Sequence, residues 1–372
     1  MNPKEQFCPE LECTARGKIG EGNIIVHSPK EGRYKCKVCG KTFSRTSGTA
    51  MYGLKKTAEL FVIVVTLLAH GCPVQAIVAA FGLDERTVKD WFKRAGQHCQ
   101  QVHVHFMEQT NLDLGQVQAD EIKVKKQRGT VWMALAITRS VVSTRLWLGG
   151  VVGAKRDKAL VRALAGQVRQ WALCRPILLA VDGFAAYVKA FREAFRTPYK
   201  GDRGGRPRLY VWQEVAIVQV IKRRVHDSLT IERRIAQGCA ELVERLLTAT
   251  QKRGVINTAF IERLNATFRQ RLACLVRRGR ALARQIETLE AGMYLVGCVY
   301  NFCTHHKSLR IGLWISEHRI HWVQRTPAIA AGLTDHRWSV EELLMFKLPI
   351  SPFVPSRRRS RPPKLALAAV SV

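Results

Sequence analysis

Residues 257–280, NTAFIERLNATFRQRLACLVRRGR, hold one carboxylate, Glu262, among six arginines. Crowded arginines make a surface for phosphate, from which an acid would repel the ligand. Either Glu262 merely neutralises a neighbouring arginine, or it helps to hold a metal ion against the phosphate. A second chemical grouping lies at the N-terminus, in CPELEC (Cys8, Cys13) and CKVC (Cys36, Cys39), with 22 residues between the pairs. Two short cysteine turns can present four thiolates tetrahedrally, the arrangement that suits one structural zinc ion. A third candidate is Asp182, which closes the apolar run ILLAVDGF and is followed by glycine. Glycine after an acid at a strand end is common where a ligand approaches the backbone.

The elements that must position these residues follow from periodicity. GNIIVHS and GRYKCKVCGKTFSR read as short strands with a turn at Gly40, so residues 1–52 form a zinc ribbon, with metal compensating for a small core. In PVQAIVAAFGLDERTVKDWFKRA (73–95), Val74, Ile77, Val78 and Phe81 recur at helical spacing and a glycine turn intervenes. Asp84 then caps a second helix of about twelve residues carrying Val88, Trp91, Phe92 and Ala95. With a helix over 54–69 this is a helix-turn-helix (53–108), whose Arg86, Lys89, Lys93 and Arg94 fall outside the apolar stripe and can reach DNA. From 117 the period becomes strand-like: 117–124, 131–138 and 142–149 form an antiparallel meander. A helix (154–172) and the continuous apolar strand 177–184 follow, then strands 215–224 and 228–234, a helix 239–250, and the Glu262 helix from about Thr258. On that helix Ile261, Leu264, Phe268 and Leu272 make the core stripe, and Glu262, Asn265 and Arg269 share an adjacent face.

Composition limits the partners. The 372 residues carry 60 Lys and Arg against 29 Asp and Glu, a formal charge of +31 spread along the chain. A polyanion is the natural partner, nucleic acid first and an anionic membrane surface second. The longest apolar run, LFVIVVTLLA (60–69), is about half of what a bilayer requires, and no secretion signal opens the chain. The expectation is a soluble, intracellular protein in which seven of the eleven cysteines, those outside the two pairs, are reduced and buried, with a disordered basic tail, PSRRRSRPPK (355–364).

Meander, helix and buried strand with a terminal Asp resemble, in that order, the ribonuclease-H-like fold. The resemblance puts Asp120 on the first strand and Asp182 beside it after a right-handed crossover. Glu121 adjoins Asp120, and alternation along the strand faces only one of them inward; we take Asp120. With Glu262 facing them, three carboxylates suit Mg²⁺, which takes its remaining ligands from water and phosphate. The motifs QADEI, LLAVDGF, IERLNATFRQRLACLVRRGRA, VYNFCTHHKSLR (299–310) and RTPAIAAGLTDHRWSVEELL (325–344) then resemble transposases of the bacterial "insertion sequence one" kind, from residue 8 to about 345. The chain departs from that family at HHKSLR, where proline, histidine and arginine would be expected, so His305 and His306 receive no role.

The resemblance implies a multidomain α+β chain. A DDE catalytic domain of ribonuclease-H-like α/β type with a mixed sheet occupies 113–310, and 311–372 is a C-terminal extension. It implies a catalytic triad of Asp120, Asp182 and Glu262 holding two Mg²⁺ ions, with Mn²⁺ as substitute, for strand cleavage and strand transfer on DNA. Arg263, Asn265, Arg269, Arg271, Arg277 and Arg278 would position DNA at the site. The ribbon and helix-turn-helix would bind terminal inverted repeats, and a homodimer or higher oligomer would act in the cytoplasm on the nucleoid. Three rivals remain: a non-catalytic DNA-binding regulator, a nuclease of the same fold, and an RNA-associated zinc protein.

Overall fold

Around the cysteines, β-prone runs form an antiparallel three-stranded sheet of β1 (Ile24–Ser28), β2 (Arg33–Cys36) and β3 (Thr42–Ser44). The computed structural model describes residues 2–110, 112–140, 144–200, 206–225, 228–251, 254–276, 282–317 and 319–354. The sheet belongs to the first of two units, Met1–Gly48 with Lys347–Val372. Its core is small: Tyr34 stacks on Phe43 at 5.8 Å, beside Ile24 and the cysteines. Gly40 takes a positive φ of 72°, letting its N–H reach the Cys36 carbonyl at 2.9 Å and close the turn between two cysteines and the next strand. The basic tail beyond 354 lies outside the described residues.

The second unit, Thr49–Phe346, opens with three helices. Thr57 caps α1 (Ala58–Ala69), α2 spans Val74–Phe81, and Gly82 turns the chain in the left-handed region. Asp84 accepts hydrogen bonds from the Arg86 and Thr87 amides at 2.8 and 3.3 Å and starts α3 (Glu85–Gln109). This helix is twice the length that the sequence implies. Its buried stripe continues past Ala95 through Cys99, Val102 and Met107, although polar residues between them hide the period. Gln116–Lys126 (β4), Gly129–Arg139 (β5) and Leu146–Gly153 (β6) make the meander. α4 (Lys158–Trp171) leads to β7 (Ile177–Asp182), which pairs parallel with β4, Ala119 opposite Val181. After α5 (Ala185–Ala194) and a hairpin of β8 (Arg196–Tyr199) and β9 (Arg208–Val211), β10 (Val215–Val225) joins β7 in parallel and β11 (Ser228–Gln237) flanks it antiparallel. The six strands therefore run β11-β10-β7-β4-β5-β6, a mixed sheet in an α+β chain.

Both faces are covered, as the unbroken apolar β7 requires. Leu160, Leu164 and Val168 of α4 and Tyr187 and Phe191 of α5 pack on Val117, Ala119, Leu179 and Val181. On the other face α6 (Ala240–Gln251) sets Leu242, Val243 and Leu246 on Leu178, Ala180 and Val218. α7 (Ala259–Arg271) lies against β4 and β5. α8 (Ile286–Cys298) ends in a π turn, Val299–Cys303, and packs along α3. An exposed hairpin of β12 (Ile311–Ser316) and β13 (Arg319–Val323) and the short α9 (Pro327–Ala330) and α10 (Val340–Met345) complete the unit. Among the described residues, no helix is long and apolar enough to cross a membrane.

Two contacts carry predictions. A Cβ on Gly96 of α3 would lie 2.2 Å from the Ala291 carbonyl oxygen of α8, which is fixed backbone. Gly96→Ala is therefore expected to lower stability by about 1–3 kcal/mol, read as a fall in the urea midpoint. An unchanged midpoint would mean that the helices do not touch there. The second contact is His103, wholly buried among Trp147, Trp171 and Tyr294, with Nε2 3.0 Å from the Leu148 carbonyl. Burial pushes its imidazole down to about 4, while the unfolded chain titrates near 6.5. Between those values the unfolded chain binds the extra proton, so stability falls as pH drops from 6.5 towards 4. His103→Phe is expected to lose about 3 kcal/mol less than wild type across that interval in urea titrations at both pH values. Parallel losses would dismiss the histidine as the cause.

Candidate metal centres

In the first unit four sulfurs converge. Cys8 Sγ lies 3.7 Å from Cys39 Sγ and Cys13 Sγ 3.8 Å from Cys36 Sγ, and all four sulfurs lie within 4.8 Å of one another. A disulfide would require about 2.05 Å. A tetrahedral ion with zinc–sulfur bonds of 2.3 Å places its ligands ~3.8 Å apart. The spacing is compatible with a metal site. Burial pushes the Cys8 and Cys13 thiols up. Burial also acts upward on Cys36, but hydrogen bonds from the Cys39 and Val38 amides outweigh it and hold that thiol down. Those amides point at the sulfur because the chain turns at Gly40, as backbone donors do around ligating thiolates.

In the second unit the acids gather where β7 stops. β7 ends at Asp182, while its neighbours β4 and β10 run on, which leaves a notch beyond the carboxyl ends of parallel strands, where open sheets receive ligands. Asp182 sits at the base of the notch, its Oδ1 accepting the Phe184 amide at 2.9 Å. From β4, Asp120 faces α7, where Asn265 Nδ2 donates to its Oδ2 at 2.8 Å. Glu121 faces α5, where the Tyr187 hydroxyl donates to it at 2.6 Å. Alternation along the strand thus holds, yet it does not decide between the two acids. Oxygens of Asp120, Glu121 and Asp182 all lie within 4.8 Å of one another, because no strand separates them past Asp182. An octahedral Mg²⁺ shell is ~4.2 Å across, and hard oxygen donors are what it takes.

Charge crowding marks the notch. Burial, then Glu121, then Asp182 and Glu262 raise the Asp120 carboxyl to about 6, against a hydrogen bond from the Glu121 amide. Glu121 is raised by burial as well, against Tyr187 and Arg156. Two cations of the chain answer the acids. Arg156, between β6 and α4, bridges Glu121 and Asp182, at 2.8 Å from the latter, with its guanidinium 4.4 Å from the Phe184 ring. Lys222 of β10 pairs with Glu262 of α7, which also accepts the Thr258 hydroxyl at 2.6 Å. These bonds outweigh burial and hold the Glu262 carboxyl down. Glu262 is thus at the rim, within electrostatic reach of Asp120, while the close group consists of the other three acids. Gln118 seats α7: its Oε1 accepts the Phe260 and Ile261 amides at 2.9 and 3.0 Å, and its Nε2 donates to the Asn257 carbonyl at 2.8 Å.

The basic candidates are spread out. Arg86 and Lys93 are exposed on α3, Lys89 pairs with Glu85, and Arg94 donates to the Tyr52 carbonyl at 2.9 Å. On α7, Arg263 is exposed, whereas Arg269 is half-buried and Asn265 wholly buried. Arg271 reaches the Thr304 hydroxyl at 3.5 Å. Arg277 and Arg278 lie outside the described residues. Sequence reasoning did not single out Arg156, Lys222, Tyr187 or Gln118. The only available signal was polar residues in an otherwise apolar sheet, which Gln118 gives and the others do not. Among known proteins, no family model and no curated protein matches this chain.

Proposed function

We propose that the chain is a metal-dependent DNA strand-transfer enzyme of the DDE transposase type. The observation that carries this reading is Asp182 at the end of β7 beside Asp120 on the parallel neighbour β4, just past the last β4–β7 pair, with α7 holding Asn265 on Asp120 and Glu262 at the rim. The strand order, with a three-stranded meander followed by two parallel strands, supports a ribonuclease-H-like body. The four thiols support a zinc ribbon, and the charge of +31 supports a nucleic-acid partner.

Asp120, Asp182 and Glu262, with Glu121 beside them, would hold Mg²⁺ or Mn²⁺, which when bound polarises a phosphodiester and makes water or a 3′-hydroxyl nucleophilic. The chain's own residues prepare that site. Asn265 fixes the Asp120 carboxylate, Tyr187 fixes Glu121, and the Phe184 amide fixes Asp182. Arg156 and Lys222 balance the acids, and on release each can turn to a phosphate of the strand. Exposed Arg86 and Lys93 on α3 would follow the backbone of a recognised repeat, with two copies of the chain working at two ends.

One observation favours the rival, a DNA-binding regulator without catalysis: the acids already have cationic partners in the chain. Nicking of a supercoiled plasmid in Mg²⁺ or Mn²⁺, with a gel shift in parallel, separates the two. Binding without metal-dependent nicking would hand the chain to the regulator reading.

A further inference from the structure

A second cluster lies away from the notch and brings together three arginines and a histidine, with no acid among them. Arg139 ends β5, Arg145 precedes β6, Arg271 ends α7, and His306 follows the π turn. Arg139 and Arg145 lie over the Phe260 ring at 4.6 and 5.0 Å. Buried Tyr300 joins the parts: its hydroxyl donates to the Arg145 carbonyl at 3.2 Å and its ring meets His306 edge-on at 4.4 Å. Among the described residues none of these side chains pairs with a carboxylate, and the neighbouring undescribed stretches 141–143 and 277–281 contain no acid. Among the described residues, buried nitrogens are left without partners: Arg139 Nε and one terminal nitrogen of Arg271, both donors, and His306 Nε2.

The cluster is costly as it stands. Burial lowers the pKa of Arg139, Arg145 and Arg271, and Arg145 lowers that of Arg139 further. Burial, with Arg145 and Arg271 nearby, brings His306 down to about 4. Arg145 also has a φ of 50°, the one positive value among described residues other than glycine. Three like-charged arginines, orphaned nitrogens and a strained arginine in one place make a setting that suits an anion.

We infer that Arg139, Arg145 and Arg271, beside His306, form a socket for one phosphate group of a nucleic-acid strand, separate from the acidic notch. That the phosphate belongs to nucleic acid rests on the reading proposed above. A phosphate accepts from several planar guanidinium forks at once, which no single carboxylate could do for three arginines. Its place suits a strand already at the notch. Arg139 lies opposite Gln116, four positions along β4 from Asp120 and on the same face, or ~13 Å away at 3.3 Å per residue.

Thermal melting of the full chain in phosphate-free buffer, without added divalent metal, tests this. Inorganic phosphate and thymidine hexanucleotides with a 5′-phosphate or a 5′-hydroxyl are the probes, and Lys30→Gln, at an exposed turn, controls for general charge. Wild type and Lys30→Gln are expected to melt higher with each phosphate-bearing probe. Arg145→Gln and Arg271→Gln are expected to melt higher than wild type without probe, because repulsion is relieved, and to need at least tenfold more probe for the same shift. A preference for the 5′-phosphate would define a strand-end socket, and equal response to both hexanucleotides an internal diester. Variants that melt lower without probe and respond like wild type would overturn the socket. Asp182→Asn should respond as wild type does, so a catalytic reading that fails leaves this result standing.

Discussion

Asp182→Asn is expected to bind DNA as wild type does and to nick it at least 100-fold more slowly. The same holds for Asp120→Asn and Glu262→Gln. Each change is isosteric and removes one negative charge from a notch in which Asp120 is already held up at about 6 by burial and its acidic neighbours. For Asp120 the lost charge is a repelled one, so Asp120→Asn should melt at or above wild type. Asp182→Asn and Glu262→Gln each give up an ion pair, with Arg156 and Lys222, and are to be compared with wild type at a temperature where their melting curves show both fully folded. Glu121→Gln separates position from ligation. The Tyr187 bond to Glu121 survives in an amide, so a loss comparable to that of Asp182→Asn would make Glu121 a ligand and not a brace. If all three triad variants stay within threefold of wild type, the notch is structural and the enzyme reading ends.

Removing the thiolate site should have an equally large effect on the first unit. Structural zinc contributes on the order of 10 kcal/mol to domains of this size. The apolar core around Tyr34, Phe43 and Ile24 is too small to replace it. Metal analysis should return one zinc per chain. Cys36→Ser, or prolonged chelation, should abolish hydrogen-exchange protection of β1, β2 and β3 while the six-stranded sheet keeps its own. A fully protected ribbon without metal would refute the assignment, because it would mean that 3.7 and 3.8 Å between sulfurs is packing alone.

What could be read from the sequence was local. Asp84 as a cap, Gly82 as a turn, the meander and the buried strand ending in Asp182 each follow from neighbours within about ten residues, and each element stands where the periodicity puts it to within a few residues. The thiol site was equally legible, because paired cysteines at short spacing have few other uses. α8 was missed: its glycines at 292 and 297 lower helix propensity but admit Phe92 and Trp147, a packing reason invisible without the partners. The far end of α3 was missed for the related reason that its histidines and glutamines mask an apolar stripe. In the notch, residue types were visible but pairings were not. Asn265 meets Asp120 across 145 positions and Lys222 meets Glu262 across 40, and no periodicity encodes such distances. For the same reason, alternation on β4 could not choose between Asp120 and Glu121, since the answer depends on where β7 ends.

The Arg156 bridge turns cation uptake into an exchange reaction. Because one guanidinium already spans Glu121 and Asp182, the sheet can fold around its acids in a medium without divalent ions. The two candidate centres would then differ in when they need metal: the thiolates during folding, the carboxylates only at the moment of use. Exchange also discriminates by valence. A sodium or potassium ion that displaced Arg156 would restore only the one charge it removed and lose a planar, two-armed hydrogen-bonding partner. A divalent ion adds a charge to the notch with every displacement and frees a guanidinium for an incoming phosphate. The abundant monovalent salts of a cell would therefore leave the notch closed.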